Sequence, residues 1–427
     1  MEGSSTNGQV STVQFGGENK VLVIGAGSTG LALAQGLKKA RIPYVVYERD
    51  ENATRKRNWS MGLHWAVPAL QYLIPDELLA RIQGTQTDPN VPTKDADQLP
   101  FINGQTGELI GEIKSDKFYR LRRDKIRALL LEGLDVRWGK AISDLIYSTD
   151  GRKITARFAD GTEDTGSLLI ASDGLHSTVR TLLVGSEKAK VTPIDFATAM
   201  CFTKHSRDRA LFLRAKPHHP LYQVAPHPNG YFGWLSLHDG DDPDHPENWT
   251  FYHYISFREP RNVTNDRSNA EHVAHQKELA RQFTDPFKSV FEWMPDDHPV
   301  WYGKLRQWDP SEPEHKWDDH DGRVTLAGDA AHPMTFQRGQ GFNHAIMDSF
   351  LLCKGIESFW NSGDFSSEQR AAAITDYENE MIPRGGEEVR LSEANSIAMH
   401  DWEKVMQSPS MKKGMHVSHQ AARIMDY

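Results

Sequence analysis

Gly25, Gly27 and Gly30 fall within Gly-Ala-Gly-Ser-Thr-Gly, directly after the apolar run Val21-Leu22-Val23-Ile24. Glycine at the first position permits a tight turn. At the second it lets a pyrophosphate approach the backbone, and at the third it lets a following helix pack close to the strand. Ser28 and Thr29 lie inside this turn, where a helix N-terminus offers free N–H groups and the positive end of its dipole to phosphate. Glu48, followed by Arg49, ends a second apolar run that starts at Pro43. Its carboxylate is suited to accept from a ribose hydroxyl and would repel a 2′-phosphate. The chemistry these residues point to is dinucleotide binding.

Two further acids stand at strand ends. Ser167 to Ser172 is mostly apolar and runs into Asp173-Gly174, after which Ser177-Thr178-Val179-Arg180 opens a helix. Arg323 to Ala327 runs into Gly328-Asp329, then Ala330-Ala331-His332-Pro333 and the loop Gly339-Gln340-Gly341-Phe342-Asn343, which opens another helix. An acid at the carboxyl end of a strand can accept from sugar or ribityl hydroxyls, and a glycine loop feeding a helix can hold negative charge. Each stretch taken alone also fits a plain strand–turn–helix junction.

The elements that must position these residues follow from periodicity. Val21–Ile24, the small and apolar residues from Leu31 to Ala40, and Pro43 to Glu48 form a βαβ unit. Gly62 to Leu73 starts extended and becomes helical near Pro68. Residues 84 to 107 are rich in Gly, Pro, Asp, Asn and Thr and read as loops and hairpin turns. Arg120 to Leu131 reads as an amphipathic helix entered from a strand, with arginines at its start that can reach back to a cofactor. Residues 191 to 310 lose the βαβ rhythm and show long aromatic, β-rich runs, an antiparallel sheet inserted between two parts of the dinucleotide domain. Tyr231, Phe232, Trp234, Tyr252 and Tyr254 are candidates to line an apolar pocket there. Residues 364 to 406 are mostly helical, with a break expected at Pro383 and Gly385-Gly386.

Composition narrows the function classes. The 427 residues carry a net charge of −9, which disfavours nucleic acid as a partner. Two cysteines, Cys201 and Cys353, cannot make a disulfide framework or a metal cage, and fit a reducing, cytoplasmic compartment. Histidines are scattered without metal-ligand spacing, so no metal site is expected. No apolar run is long enough to span a membrane. Residues 1–18 are expected to be a flexible tail.

The motifs at 25–30, 172–180 and 328–333 stand in one order that resembles the class A flavoprotein monooxygenases, the para-hydroxybenzoate hydroxylase-like family, over about residues 20 to 400. Glu48, the Gly339–Gly341 loop and the C-terminal helices look most like fungal secondary-metabolism members. The resemblance implies an α/β fold: a Rossmann-like three-layer FAD-binding domain with an inserted antiparallel-sheet substrate domain and C-terminal helices. The expected parts are 19–190 and 311–385 for the FAD-binding domain, 191–310 for the substrate sheet and 386–427 for a C-terminal helical segment.

The resemblance further implies that Gly25, Gly27, Ser28, Thr29, Gly30, Glu48 and Arg49 hold the ADP half of FAD. Arg123 matches the family arginine that reaches the cofactor. Asp173 and Gly174 match a motif linked to both FAD and NAD(P)H. Gly328, Asp329 and Pro333 fall at the ribityl chain, and Gly339, Gln340, Gly341, Phe342 and Asn343 lie by the isoalloxazine. Gly62 lies where the family chain passes the flavin. Ser172 and Phe342 depart from the commoner pattern of smaller residues, and Phe342 would crowd the flavin or wall the pocket.

The implied reaction uses transiently bound NADH or NADPH to reduce the flavin and O₂ to form a C4a-hydroperoxide. It ends in hydroxylation or epoxidation of an apolar aromatic, indolic or polyketide-type small molecule. Tyr231, Trp234 and Tyr254 are the candidate substrate-lining residues. No catalytic base is assigned; His64, His238, His253 and Tyr254 are the candidates. Monomer and dimer both remain open. A reductase or halogenase on the same scaffold is one rival, although the halogenase W-x-W-x-I-P signature is absent. A flavin-fold binding protein without turnover is the other, and Asp329 with the Gly339–Gly341 loop argues against it.

Overall fold

The structure is a computed structural model that describes residues 19–54, 58–216, 218, 221–362 and 366–414. The N-terminal tail expected over 1–18 and the final residues from 415 lie outside the described residues.

Val21–Ile24 is the middle strand of a five-stranded parallel sheet. Its neighbours are Leu168–Ala171 on one side and Tyr44–Tyr47 on the other, with Val324–Leu326 and Val136–Arg137 at the edges. The inner strands are apolar on both faces because helices cover both. Register sets the function: Ile24 pairs with Ala171 and Tyr47, and Ala171 pairs with Leu326. All these strands therefore end level. The residues that follow them, Gly25, Glu48, Ser172 and Ala327, emerge side by side along one carboxyl edge.

The helix Ser28–Lys39 leaves that edge and buries Leu31, Ala32, Leu33, Ala34 and Leu37. The helix Gly341–Ser362 packs against it. A small antiparallel sheet of Ile142–Tyr147, Ile154–Phe158 and Glu163–Gly166 flanks this half.

The second half is a seven-stranded sheet in the order Trp301–Gln307, Thr192–Thr203, Thr250–Arg258, Tyr231–Asp239, Tyr222–His227, Ala96–Ile102 and Leu109–Asp116. The strand Ala96–Ile102 corrects the sequence expectation of loops and hairpin turns over 84–107, and Leu109–Asp116 pairs with it. Leu99, Phe101 and Ile113 are buried there, while Pro100 sits in a strand next to the sheet edge. The helices Asn269–Ala280 and Phe287–Glu292 cover the outer face of the sheet, the first entered through a Ser268–Glu271 capping box.

The helix expected to break near Pro383 runs unbroken from Ser367 to Met399, across the boundary expected at 385. Its two glycines serve close packing. A Cβ on Gly385 would lie 2.9 Å from the His332 ring, and one on Gly386 would lie 2.5 Å from Asp309. Ion pairs from Arg384 to Glu380 and Asp348 hold the segment around the proline.

Candidate active site

At the first turn Gly25 adopts φ +106°, and a Cβ there would lie 2.5 Å from the Ser172 carbonyl oxygen. A Cβ on Gly30 would lie 2.1 Å from the Gly25 carbonyl oxygen. Ser172, the departure noted above, has a role in this contact. Its Oγ lies 3.0 Å from both the Ile24 and the Gly25 carbonyl oxygens, tying the second motif to the first. Glu48 is buried; its Oε2 accepts from Ala26 N at 2.8 Å and its Oε1 from Asp50 N at 3.1 Å. The exposed Arg49 stands beside it.

The helix Ser28–Lys39 has no side-chain cap and no acid in its first turn. Its first N–H groups thus face the turn without intrahelical partners, and Ser28 Oγ is buried with no partner. Gly27 and Thr29 complete a cradle that fits a pyrophosphate. Arg127, which the sequence did not single out, braces the turn from behind. Its Nε donates to Ala26 O at 2.7 Å and its Nη1 to Ala53 O at 2.5 Å. Its spacing of one helical turn from Arg123 was the available signal.

Asp173 does not present a free carboxylate. It accepts from Ser177 Oγ at 2.5 Å and from the backbone N–H groups of Thr178 and Val179 at 2.7 and 3.2 Å, capping the next helix. Gly174, at φ +83°, carries the chain through that turn. The buried Arg180 donates to Leu175 O at 2.7 Å and to Ala330 O at 2.8 Å, linking this loop to the Asp329 loop.

Asp329 is the open acid. Among the described residues no donor reaches its carboxylate, which lies 3.9 Å from where a Cβ on Gly341 would stand. Surrounding protein raises its pKa by desolvation, while the charges of His332, Arg123 and Arg180 pull the other way. Arg123 also lies over the Trp59 ring at 4.3 Å. Gly328, at φ +60°, donates its N–H to Asp348 Oδ2 at 2.7 Å. Asp348 also accepts from His332 Nε2 at 2.6 Å and Arg384 Nη2 at 2.7 Å. Burial raises the Asp348 carboxyl, but His332 and Arg384 outweigh it and hold it below the usual carboxylate range. Pro333 accepts at its carbonyl from Trp308 N at 3.0 Å.

The glycine loop is stapled to Ser60–Leu63. Asn343 Oδ1 accepts from His64 N at 2.9 Å, and its Nδ2 donates to Gly62 O and His64 Nε2 at 3.0 Å. Gln340 Oε1 accepts from Trp65 Nε1 at 2.8 Å, while its Nε2 is buried without a partner. That orphaned donor, beside Gly339 and Gly341, fits a cofactor acceptor. Phe342 is buried in the main core.

Facing this loop is the inner side of the seven-stranded sheet. Cross-strand register puts Trp234 opposite Tyr254 and Val224, and Ser236 opposite Tyr252 and Tyr222. Those residues share one face. Tyr254 meets Phe336 of the glycine loop edge-on at 5.7 Å. Tyr231 pairs with His227, whose ring packs against Phe283, and points to the opposite face, so it does not line this side. His253 is also behind the sheet, against Phe291. His64 is buried next to the loop and its pKa falls to about 3 by desolvation. His238, on the strand Tyr231–Asp239, packs against Phe202 at 4.6 Å with its Nδ1 buried and unpartnered, and desolvation lowers its pKa to about 4. Among the described residues no cluster could hold a metal, and no helix is long and apolar enough to cross a membrane.

A level sheet edge carrying a tight glycine turn, a buried acid beside it and an open acid beside a glycine loop fits an FAD-binding α/β oxidoreductase fold. Residues 314–381 match the FAD binding domain family. The FAD-dependent monooxygenase cctM of Talaromyces islandicus is 37% identical over 93% of this chain and 96% of its own length. The FAD-dependent monooxygenase phnB of Penicillium herquei is 37% identical over 93% and 95%. The crystal structure of Klebsiella pneumoniae HpxO complexed with FAD and uric acid covers 97% of each chain at a TM-score of 0.69 and 19% identity. The chain belongs to the FAD-dependent monooxygenases.

Proposed function

We propose that this FAD-dependent monooxygenase takes electrons from NADH or NADPH and hydroxylates or epoxidises an apolar aromatic, indolic or polyketide-type small molecule in secondary metabolism. The observation that carries the reading is Asp329. This open carboxylate stands beside the glycine loop at Gly341, and Phe336, just ahead of that loop, meets the aromatic sheet face at Tyr254. Bound and reduced, FAD supplies the activation of O₂ and the transfer of one oxygen atom.

The chain's own residues do the rest. The Gly25–Gly30 turn and the helix behind it hold the pyrophosphate, Glu48 accepts from the ribose and Asp329 from the ribityl hydroxyls. Gln340 Nε2 and the first N–H groups of Gly341–Ser362 offer donors to the ring end. Trp234, Tyr252 and Tyr254 supply flat apolar surface that orients a planar substrate and excludes water.

The test is to purify the protein with bound FAD and measure NADH and NADPH oxidation and O₂ uptake across a panel of aromatic and polyketide-type compounds, with ¹⁸O₂ tracing. Substrate-stimulated uptake with one labelled oxygen in the product supports the reading. Flavin that is reduced and reoxidised with no labelled product from any compound counts against it.

A further inference from the structure

Arg120 lies on the strand Tyr119–Arg122, opposite Gly62, which Asn343 ties to the glycine loop. Only 8% of it is exposed. Its guanidinium stands over the Trp234 ring at 5.0 Å, and its titratable neighbours are the phenols of Tyr222, Tyr252 and Tyr254, which are neutral and supply no counter-charge. It thus sits where the aromatic face meets the flavin loop. Desolvation lowers its pKa to about 10, which leaves it a cation at neutral pH.

Other buried arginines have partners. Arg127, Arg180, Arg323 and Arg370 donate to backbone carbonyls, and Arg338 and Arg384 pair with carboxylates. For Arg120, among the described residues, no carboxylate forms an ion pair and Nε is buried with no hydrogen-bond partner. A buried charge without a counter-ion is unfavourable, and folds retain one chiefly where a ligand completes it.

We propose that Arg120 is the anion anchor of the substrate pocket, which selects planar aromatic substrates bearing an ionised oxygen, phenolate or carboxylate, held against the guanidinium. This rests on the monooxygenase reading above. Guanidinium matches a delocalised oxyanion with paired N–H donors. The apolar walls strengthen that contact, because little water competes for it. Trp234 and the tyrosines receive the ring system to which the oxygen is attached. A substrate whose oxygen is methylated would leave the guanidinium unpaired, so the pocket discriminates against it.

The test uses FAD-loaded protein and three probes: 1-hydroxy-2-naphthoate, its methyl ester and 2-naphthol, with binding read by tryptophan quenching and flavin absorbance. The acid is expected to bind about tenfold or more tighter than the ester. If phenolate is the preferred oxyanion, 2-naphthol shows its naphtholate absorption band when bound at a pH where it is neutral in solution. Arg120→Gln should bring acid and ester within about twofold, and Arg120→Lys should restore part of the gap. Arg120→Met should leave the melting temperature unchanged or raised, since it removes an unpaired buried charge.

Equal wild-type affinity for acid and ester, with no naphtholate band, overturns the proposal. So does a preference that survives in Arg120→Gln with full FAD content, or a melting temperature that falls by several degrees in Arg120→Met, which would mark a structural arginine. Failure of the broader reading appears elsewhere, as absent substrate-stimulated O₂ uptake in the wild type, and is scored separately from the binding preference.

Discussion

Asp348 accepts the backbone N–H of Gly328 at 2.7 Å, so a carboxylate on one helix fixes the turn that carries Asp329. Asp348 is fully buried and also holds His332 and Arg384, which are buried with it. Arg384 continues to His344 at 2.9 Å, and Arg338 pairs with Glu388 at 2.6 Å in the same region. Asp348→Ala should therefore leave a buried guanidinium and imidazole without their acid and destabilise the fold by about 3–5 kcal/mol. Urea denaturation of the FAD-loaded protein checks this, with loss of FAD expected in the same variant.

The buried histidines predict acid sensitivity. His344 and His400 have pKa values lowered to about 4 and His64 to about 3, chiefly by desolvation. Unfolded, each titrates near 6.5. Between pH ~6.5 and the folded values the unfolded chain binds more protons, so stability falls as pH falls through that window. The loss is expected to exceed about 2 kcal/mol between pH 6.5 and pH 5, as measured by urea midpoints at the two pH values. A flat profile would show that these rings are not held neutral.

How much of this was legible in the sequence depends on whether a feature is local. The three strand-end motifs were readable because the packing at the sheet edge demands glycine at Gly25 and Gly30, and Glu48 closes the same turn through Ala26 N. Tyr231 was misplaced because its face depends on the register with His227, which alternation alone does not fix. The strands at 96–102 and 109–116 were hidden by Pro100 and by the glycines of their turn, and gain stability only from the sheet they join. The unbroken helix through Pro383 depends on Asp348 and His332, which are distant in sequence. Asp173 was recognised as a motif, but its bonds to Ser177, Thr178 and Val179 show that the acid caps a helix.

Gly30→Ala tests the close approach at the first turn. The added Cβ would lie 2.1 Å from the Gly25 carbonyl oxygen and 2.4 Å from Ser172 Oγ. Only the second clash is relieved by Ser172→Ala. Gly30→Ala should lose FAD and more than about 2 kcal/mol of stability, and the double variant should recover little of either. Ser172→Ala alone, which removes a hydroxyl bonded to two carbonyl oxygens, should cost about 1 kcal/mol and keep FAD. Thermal melts with flavin absorbance read both quantities.

Asn343→Ala separates loop geometry from cofactor contact. It removes the acceptor for His64 N and the donor for Gly62 O, both buried. About 1–3 kcal/mol of stability should be lost per stranded group, and thermal or urea denaturation of cofactor-free protein would register it without any flavin present.

Asp329 predicts the opposite pattern. Its carboxylate accepts no hydrogen bond among the described residues, and its surroundings raise its pKa by desolvation. Removing it therefore takes away no protein hydrogen bond. Asp329→Ala should leave the cofactor-free protein as stable as the wild type or slightly more so, yet weaken FAD binding by about tenfold or more. FAD titration of the stripped protein, with a melt of the same sample, checks both halves. Unchanged FAD affinity would remove Asp329 from the ribityl site, and a large drop in cofactor-free stability would make it a structural acid like Asp348. The two aspartates thus differ in the fold: Asp348 shapes the turn, and Asp329 is left without a hydrogen-bond donor among the described residues, as the proposed ribityl role requires.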